Sequence, residues 1–224
     1  MTLQTLLILI FLFITPISAK AQFFKVGDLC LCPTCKLQNR KLFTIPSDSM
    51  APNFNARDCV VFNAFDSEKQ KHLMHGDVIV FRHPISNVPH LGRVIGLEGD
   101  TIQMSGGLII LNGNKLKQRQ IDNHEVIKEP NITGAMPRCN NSPVKMGEVC
   151  KKEQFVENIS AKKSYNVLNI ETGISDNTGI YRVQKNHVFA LGDNRDNAAN
   201  SRFPHNFGGW GYIPIKNIGW IYAE

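Results

Sequence analysis

The sequence lacks any block of basic residues that alternates with aromatic ones. Its 25 Lys and Arg against 19 Asp and Glu give a formal net charge of +6, and this excess is spread over 224 residues. Aromatic residues make up only 8% of the chain. A nucleic-acid-binding surface needs clustered basic charge, with aromatic rings for stacking where the strand is single. The composition therefore argues against a nucleic-acid partner, and the weak positive excess favours an anionic membrane surface instead.

Long hydrophobic runs are also scarce, and the one that is present lies near the N-terminus. The apolar run Leu6–Ile14 is unbroken, and its length is that of the hydrophobic core of a signal peptide. The longer stretch Leu3–Ala19 only reaches the low end of the lengths that allow a helix to span a membrane. Pro16 followed by Ala19-Lys20-Ala21 is typical of a helix break before an A-x-A cleavage site. We expect residues 1–21 to be either a cleaved signal peptide or a membrane anchor, and the rest to be exported.

Cysteine is more frequent than a cytosolic chain would need, with six residues. Cys139 and Cys150 flank a loop that contains Pro and Gly, so they could form a disulfide, but the sequence alone does not fix the pairing of the six cysteines. The segment Cys30–Cys35 contains a CxxC, which predicts either a redox or metal site or a local disulfide with one spare thiol. Because neither a His-x-His nor a second CxxC is present, we expect no metal and no other cofactor. Cys59 is predicted to be a buried free thiol.

Short β-branched or aromatic runs between turn residues predict a mostly β protein with antiparallel strands. Ser105-Gly106-Gly107 is typical of a hairpin turn. The predicted strands are Cys59–Phe62, Asp77–Phe81, His90–Leu97, Thr101–Met104, Leu108–Leu111, His187–Leu191 and Ile218–Tyr222.

A change of composition divides the chain after about residue 114. Residues 115–186 are polar and weakly periodic, which predicts an inserted, smaller β-rich subdomain. It would separate a first part of a core domain at 45–114 from a second part at 187–224. Residues 22–44 form a cysteine-containing neck between this core and the N-terminal segment.

A candidate nucleophile lies in a short segment that begins and ends with proline. Pro46–Pro52 has a restricted backbone, and a fixed turn can orient a hydroxyl such as that of Ser49 for attack. The alternative interpretation is a surface turn, or a helix cap made by Asp48. Two later segments, Leu91–Asp100 and Gly192–Asn197, favour the nucleophile interpretation.

Together with His75–Phe81, these segments in this order resemble the type I signal peptidases, which are membrane-bound serine endopeptidases with a Ser-Lys dyad. The resemblance covers about Ile45–Gly113 and Val188–Tyr222. It implies an antiparallel β catalytic core that hydrolyses preprotein signal peptides after small residues in A-x-A sites.

The resemblance also implies roles for individual residues. Ser49 matches the nucleophile, and Ser47 matches the serine that helps the Ser49 N–H to stabilise the oxyanion. Asp48 stands where the family usually has Gly, and its carboxylate is unfavourable for an oxyanion unless it points away. The residues expected to support the site structurally, from the third segment, are Asp193, Arg195, Asp196 and Ser201.

The reacting base of the family is missing from its expected position. Gly92 stands where the catalytic Lys should be, and Ala198 and Asn200 stand where the family has a Ser that orients the Lys and a nearby Asp. His90 is a candidate base, because residues two apart on a strand share one face about 7 Å apart. Lys41 is a weaker candidate, since it lies among polar residues.

Three functions follow from these observations. The first is a signal peptidase with an unconventional base. The second is an inactive homologue that binds extended peptides as an accessory factor in secretion or surface assembly. The third is a thiol-redox role for the cysteine-containing neck. Trp210 and Trp220 are predicted to lie at an apolar groove or a membrane-facing edge.

Overall fold

The computed structural model describes residues 24–26, 29–33, 35, 39–66 and 72–222. The predicted signal peptide or anchor at residues 1–21 lies outside the described residues. Within the described ranges, no helix has the length and apolar character needed to cross a membrane.

Strands dominate the described part of the chain, and all pairings between them are antiparallel, which confirms the predicted fold class. The strands are β1 (Phe24–Val26), β2 (Leu29–Leu31), β3 (Arg40–Thr44), β4 (Cys59–Ala64), β5 (Val78–Arg82), β6 (Pro89–Gly96), β7 (Thr101–Ser105), β8 (Leu108–Leu111), β9 (Asn114–Lys115), β10 (Lys117–Ile127), β11 (Val149–Asn158), β12 (Ser164–Asn169), β13 (Tyr181–Arg182), β14 (His187–Leu191), β15 (Ile213–Pro214) and β16 (Ile218–Tyr222).

Each of the predicted strands is present, and each of its ends lies within two residues of the predicted position. The predicted hairpin turn is confirmed as well, because Ser105 pairs with Leu108 across β7 and β8. Gly106 and Gly107 both have positive φ angles, of 56° and 77°, which glycine adopts without the steric cost of a side chain.

The main sheet has seven strands in the order β15-β14-β6-β5-β16-β4-β3. It contains strands from residues 40–96 and from residues 187–222, so that both predicted parts of the core contribute to one sheet. β5 lies near its centre and is buried on both faces: Val78 and Val80 pack in one apolar cluster, and Ile79 and Phe81 pack in another.

The inserted segment forms a three-stranded sheet in the order β10-β11-β12. A further sheet has the order β13-β7-β8-β9. In this sheet β9 and β13 come from the two ends of the inserted segment, and β7 and β8 come from the first part of the core. The predicted subdomain is therefore β-rich, and its limits at 115 and 186 remain predictions.

Three disulfides use all six cysteines of the sequence. Cys139 pairs with Cys150, which the sequence allowed, and Cys32 pairs locally with Cys35, but Cys30 is not the spare thiol of that interpretation. The prediction that Cys59 is a free thiol is wrong, because Cys59 is bonded to Cys30 across a sequence separation of 29 residues. The physical reason is tertiary packing: β2 lies beside β3, and β3 pairs with β4, which begins at Cys59.

Candidate active site

Ser49 lies in a single 3-10 turn, Asp48–Met50, that follows β3. Met50 is fully buried in the apolar cluster that contains Phe62, so one side of the turn is fixed to the sheet. Ser47 precedes the turn in extended backbone, and its hydroxyl donates to the Ser49 Oγ at 3.3 Å. The structure thus places the predicted nucleophile and the predicted oxyanion-supporting serine side by side.

The segment Gly192–Asn197 holds this turn from the opposite side. The backbone N–H of Asn194 donates to the Ser49 carbonyl at 3.1 Å, and its side-chain amide donates to the Asp48 carbonyl at 3.0 Å. A Cβ at Gly192 would lie only 2.6 Å from the Ser49 carbonyl oxygen. Two of the three segments that the sequence singled out are therefore in direct contact, and their approach requires glycine at 192.

Asp193 binds an arginine that follows directly after Gly92. Arg93 Nε and Nη2 donate to the two carboxylate oxygens of Asp193 at 2.8 and 2.7 Å, and both side chains are buried. Asn53, just beyond the nucleophile turn, also donates to Asp193 at 2.8 Å. Such bidentate, charge-assisted pairs fix geometry as well as charge. Arg93 is thus a supporting residue that the sequence reasoning missed.

Arg195 is paired with a carboxylate from the inserted segment. Its Nη2 lies 2.5 Å from Glu157 Oε1, and the Tyr165 hydroxyl donates to the same oxygen at 2.7 Å. Burial acts to raise the pKa of Glu157, but the charge of Arg195 and the hydrogen bonds outweigh it and hold this pKa below its usual range. Glu157 was not predicted, because it lies in a segment outside the resemblance.

The other two predicted supporting residues bind backbone groups of neighbouring segments. Asp196 accepts from the Ile170 N–H at 2.8 Å, and the Ser201 hydroxyl accepts from the Ala190 N–H at 3.0 Å. Asp193 and Arg195 each form a buried ion pair, with Arg93 and Glu157 respectively rather than with each other. The supporting roles of these residues stay predictions.

A tryptophan occupies the space beside Gly92. A Cβ at this position would lie 2.6 Å from Trp210 Cζ3 and 3.5 Å from the Ala190 Cβ. Trp210 is only 2% exposed, and within the described ranges its indole N–H has no hydrogen-bond partner. The prediction of an interfacial Trp210 is wrong: its ring fills the interior where a side chain at position 92 would begin.

His90 packs in an aromatic group rather than against the nucleophile turn. Its ring centroid lies 5.9 Å from Phe81, 5.6 Å from His83 and 5.8 Å from Trp210. No hydrogen bond between described residues joins His90 to Ser49. Lys41 is exposed, with its ammonium group over the Phe43 and Trp220 rings, as expected for a solvated residue. A catalytic role for His90 stays a prediction.

Burial, and then the charge of the neighbouring His83, lowers the pKa of His90 below 6.5. Between this lowered pKa and 6.5 the unfolded chain binds more protons than the folded one, so stability must fall as pH falls through that window. We expect the difference in melting temperature between pH 7.5 and pH 5.5 to be smaller for His90→Phe than for the parent. His72, which is exposed, supplies the matched control His72→Phe. Equal pH slopes for all three proteins would contradict this assignment.

Comparison with known proteins identifies the family of this chain. The family model described as "Signal peptidase, peptidase S26" matches residues 29–219, which is most of the sequence. The chain belongs to the signal peptidase family, peptidase S26. This match includes the nucleophile turn, Gly92 and the segment Gly192–Asn197, and it also extends across the insertion.

Individual relatives carry the name signal peptidase I. One from Buchnera aphidicola of Schizaphis graminum is 27% identical over 79% of this chain and 64% of its own length. One from Pseudomonas fluorescens is 28% identical over 72% and 54%, and one from Rickettsia typhi is 30% identical over 64% and 48%. The chain thus spans about half to two thirds of the length of these relatives.

Proposed function

We propose that this protein is a serine endopeptidase of the signal peptidase I type, which removes signal peptides by cleaving after small residues in A-x-A sites. Ser49 attacks the scissile carbonyl, and Ser47 with the Ser49 N–H stabilises the oxyanion. His90 is the candidate base to test. Membership of the family supports this function, although the substitution at position 92 separates the chain from the usual chemistry.

The contact between the nucleophile turn and Gly192–Asn197 is the observation that carries this proposal. A hydroxyl contributes to catalysis when it is held in a fixed orientation, and orientation can lower a barrier by several kcal/mol. Here the carbonyls of Asp48 and Ser49 are both bound by Asn194, while the two serine hydroxyls stay adjacent. A protein without use for a positioned hydroxyl would not need this arrangement.

One observation favours a second candidate function, an accessory protein that binds extended peptides without cleaving them. Trp210 fills the space beside Gly92, so the position of the family's base is closed by a packed ring as well as lacking a side chain. A weakly nucleophilic serine without a base would leave a groove that still accepts a strand-like peptide.

Replacing Ser49 with Ala should abolish cleavage of a preprotein that carries an A-x-A site. The measurement is mass spectrometry of the products after incubation in detergent with the full chain. Ser86→Ala, at an exposed loop position, is the matched control and should cleave as the parent does. Binding of the uncleaved peptide is measured in parallel by fluorescence anisotropy.

Each outcome assigns one function. Cleavage by the parent and by Ser86→Ala, but not by Ser49→Ala, would establish the peptidase. Equal cleavage by all three would refute Ser49 as the nucleophile. Binding without cleavage by any of them would establish the accessory function, and the site would then be a retained peptide groove.

We also propose that the protein acts on the exported side of a membrane. Three disulfides favour an oxidising compartment. The loop between β5 and β6 exposes Ile85 and Val88 by 71% and 52%, near an aromatic surface at Trp220 that Lys41 borders. Apolar side chains beside a basic residue suit contact with an anionic lipid surface.

A further inference from the structure

Lys152 is a buried cation in the inserted sheet. It is only 1% exposed, and lysine is almost never buried this fully unless it has a partner. It lies on β11 directly opposite His124 of β10. The neighbouring Lys151 faces the other way, is exposed and pairs with Glu125 at 3.0 Å. The two adjacent lysines therefore have different surroundings.

A cavity of about 160 Å³ separates Lys152 from the nucleophile turn. One wall comes from the inserted segment and the other from the turn and the residues after it. The charged and titratable side chains that line this cavity are Asp48, Arg57, His124, Glu129 and Lys152.

Asp48 is the residue of the turn that faces this cavity. Its Oδ1 accepts from the Ala56 N–H at 3.2 Å, whereas the Ser49 hydroxyl is bonded to Ser47. The carboxylate is thus fixed on the cavity side of the turn. Burial lowers the pKa of Lys152, and the negative charge of Asp48 opposes that shift. The two opposite charges therefore attract each other across the cavity.

We propose that Lys152 is a positioning residue that compensates the charge of Asp48 and so holds the nucleophile turn against the inserted sheet. An uncompensated carboxylate beside Ser49 would oppose the loss of the hydroxyl proton and the formation of an oxyanion. A chain with Asp48 where its family usually has Gly needs nearby positive charge, and the insertion supplies a buried cation in addition to Arg57. The inference rests on the proposed function, since it takes Ser49 as the nucleophile.

A cysteine in place of Ser49 reports on this charge balance without any need for turnover. All six native cysteines are in disulfides, so Ser49→Cys adds a single free thiol. Its rate of alkylation by iodoacetamide, followed by mass spectrometry as a function of pH, gives the pH midpoint of thiolate formation.

Adding Lys152→Met to Ser49→Cys should move this midpoint upward and slow alkylation at pH 7.5 by about threefold or more, because Asp48 then loses the buried cation on its cavity. Adding Asp48→Asn as well should return the rate to within about twofold of Ser49→Cys. Asp48→Asn in Ser49→Cys alone should move the midpoint downward, since Lys152 is then the uncompensated charge. If Lys152→Met slowed alkylation only by disturbing the local packing, a further substitution of Asp48 would not restore the alkylation rate.

Lys151→Met is the matched control, because it removes one positive charge from the same strand on its exposed face. It should leave the midpoint unchanged. The proposal is overturned if Lys152→Met behaves like Lys151→Met, or if Asp48→Asn shifts the midpoint upward or fails to reverse Lys152→Met. If the shifts appear as expected but the parent cleaves no preprotein, the charge pair stands and the proposed peptidase function fails.

Discussion

Gly92→Lys by itself is expected to lower the free energy of unfolding by about 1–3 kcal/mol and to add no cleavage. The first side-chain carbon of the new residue would lie 2.6 Å from the buried ring of Trp210. The lysine must then displace the ring or turn away from the site. Urea denaturation of the parent and the variant measures the loss of stability.

A larger effect is expected when space for the lysine is made at the same time. In Gly92→Lys/Trp210→Ala/Ala198→Ser, the amine gains room where the indole ring was, and a serine returns to the position at which the family orients its base. General bases typically contribute about 10²–10⁴-fold to a rate, so cleavage of an A-x-A preprotein should rise by about 10²-fold or more over the parent.

The matched control replaces the base by an uncharged side chain of similar length. Gly92→Met/Trp210→Ala/Ala198→Ser fills the same space and should not gain activity. Equal cleavage by the two triple variants, both shown to be folded by circular dichroism, would contradict the expectation. It would mean that the distance between residue 92 and Ser49 no longer suits proton transfer.

Glu157→Gln is expected to reduce the free energy of unfolding by about 3–5 kcal/mol at pH 7, because it leaves the buried guanidinium of Arg195 without its counter-charge. The Glu157–Arg195 contact is 2.5 Å long, and both side chains are almost fully buried. Urea denaturation at constant pH provides the measurement. Since Arg195 belongs to the segment that holds the nucleophile turn, cleavage should fall as well.

Glu125→Gln is the control, since its 3.0 Å contact with Lys151 lies on the exposed face of the same inserted sheet. Surface pairs contribute about 0–1 kcal/mol, so the free energy of unfolding of this variant should remain close to that of the parent.

The lowered pKa of Glu157 allows a second test, by pH. The stability that the ionised Glu157 contributes is present above the pKa of a glutamate in the unfolded chain, and it is lost as pH falls through the lower pKa of Glu157 in the folded protein. Similar losses of unfolding free energy for Glu157→Gln and Glu125→Gln at pH 7 would show that the buried ion pair contributes no more to stability than the exposed one.

Much of the fold could be predicted because its strands carry local signals. β5 and β16 are short apolar runs between turn residues, and Gly106-Gly107 marks its hairpin by composition alone. The same holds for the nucleophile turn, whose flanking prolines are visible in the sequence. The contact between this turn and Gly192–Asn197 could be expected only through the resemblance, because the two segments lie far apart in the chain.

The remaining features depend on tertiary neighbours that no local pattern reveals. Glu157 and Lys152 look like ordinary charges of a polar strand, and only the docking of the inserted sheet buries them. The disulfide partner of Cys59 reaches it only because β2 lies beside β3 and β3 pairs with β4, which no local pattern in the sequence reveals. Trp210 was assigned to an interface on its amphipathic character, whereas the absence of a side chain at Gly92 makes room for it inside.

The disulfide between Cys30 and Cys59 links β2 of the neck to β4, the strand next to the edge of the main sheet. Thiols stay reduced in the cytosol and become oxidised outside it, so this link can form only after the chain has left the reducing compartment. The buried clusters of the main sheet contain no member of the Cys30–Cys59 pair. Folding of the buried clusters and closure of this disulfide are therefore separable in time, and, on the proposed export of the protein, the oxidation state of Cys30 and Cys59 would report whether a given molecule has been exported.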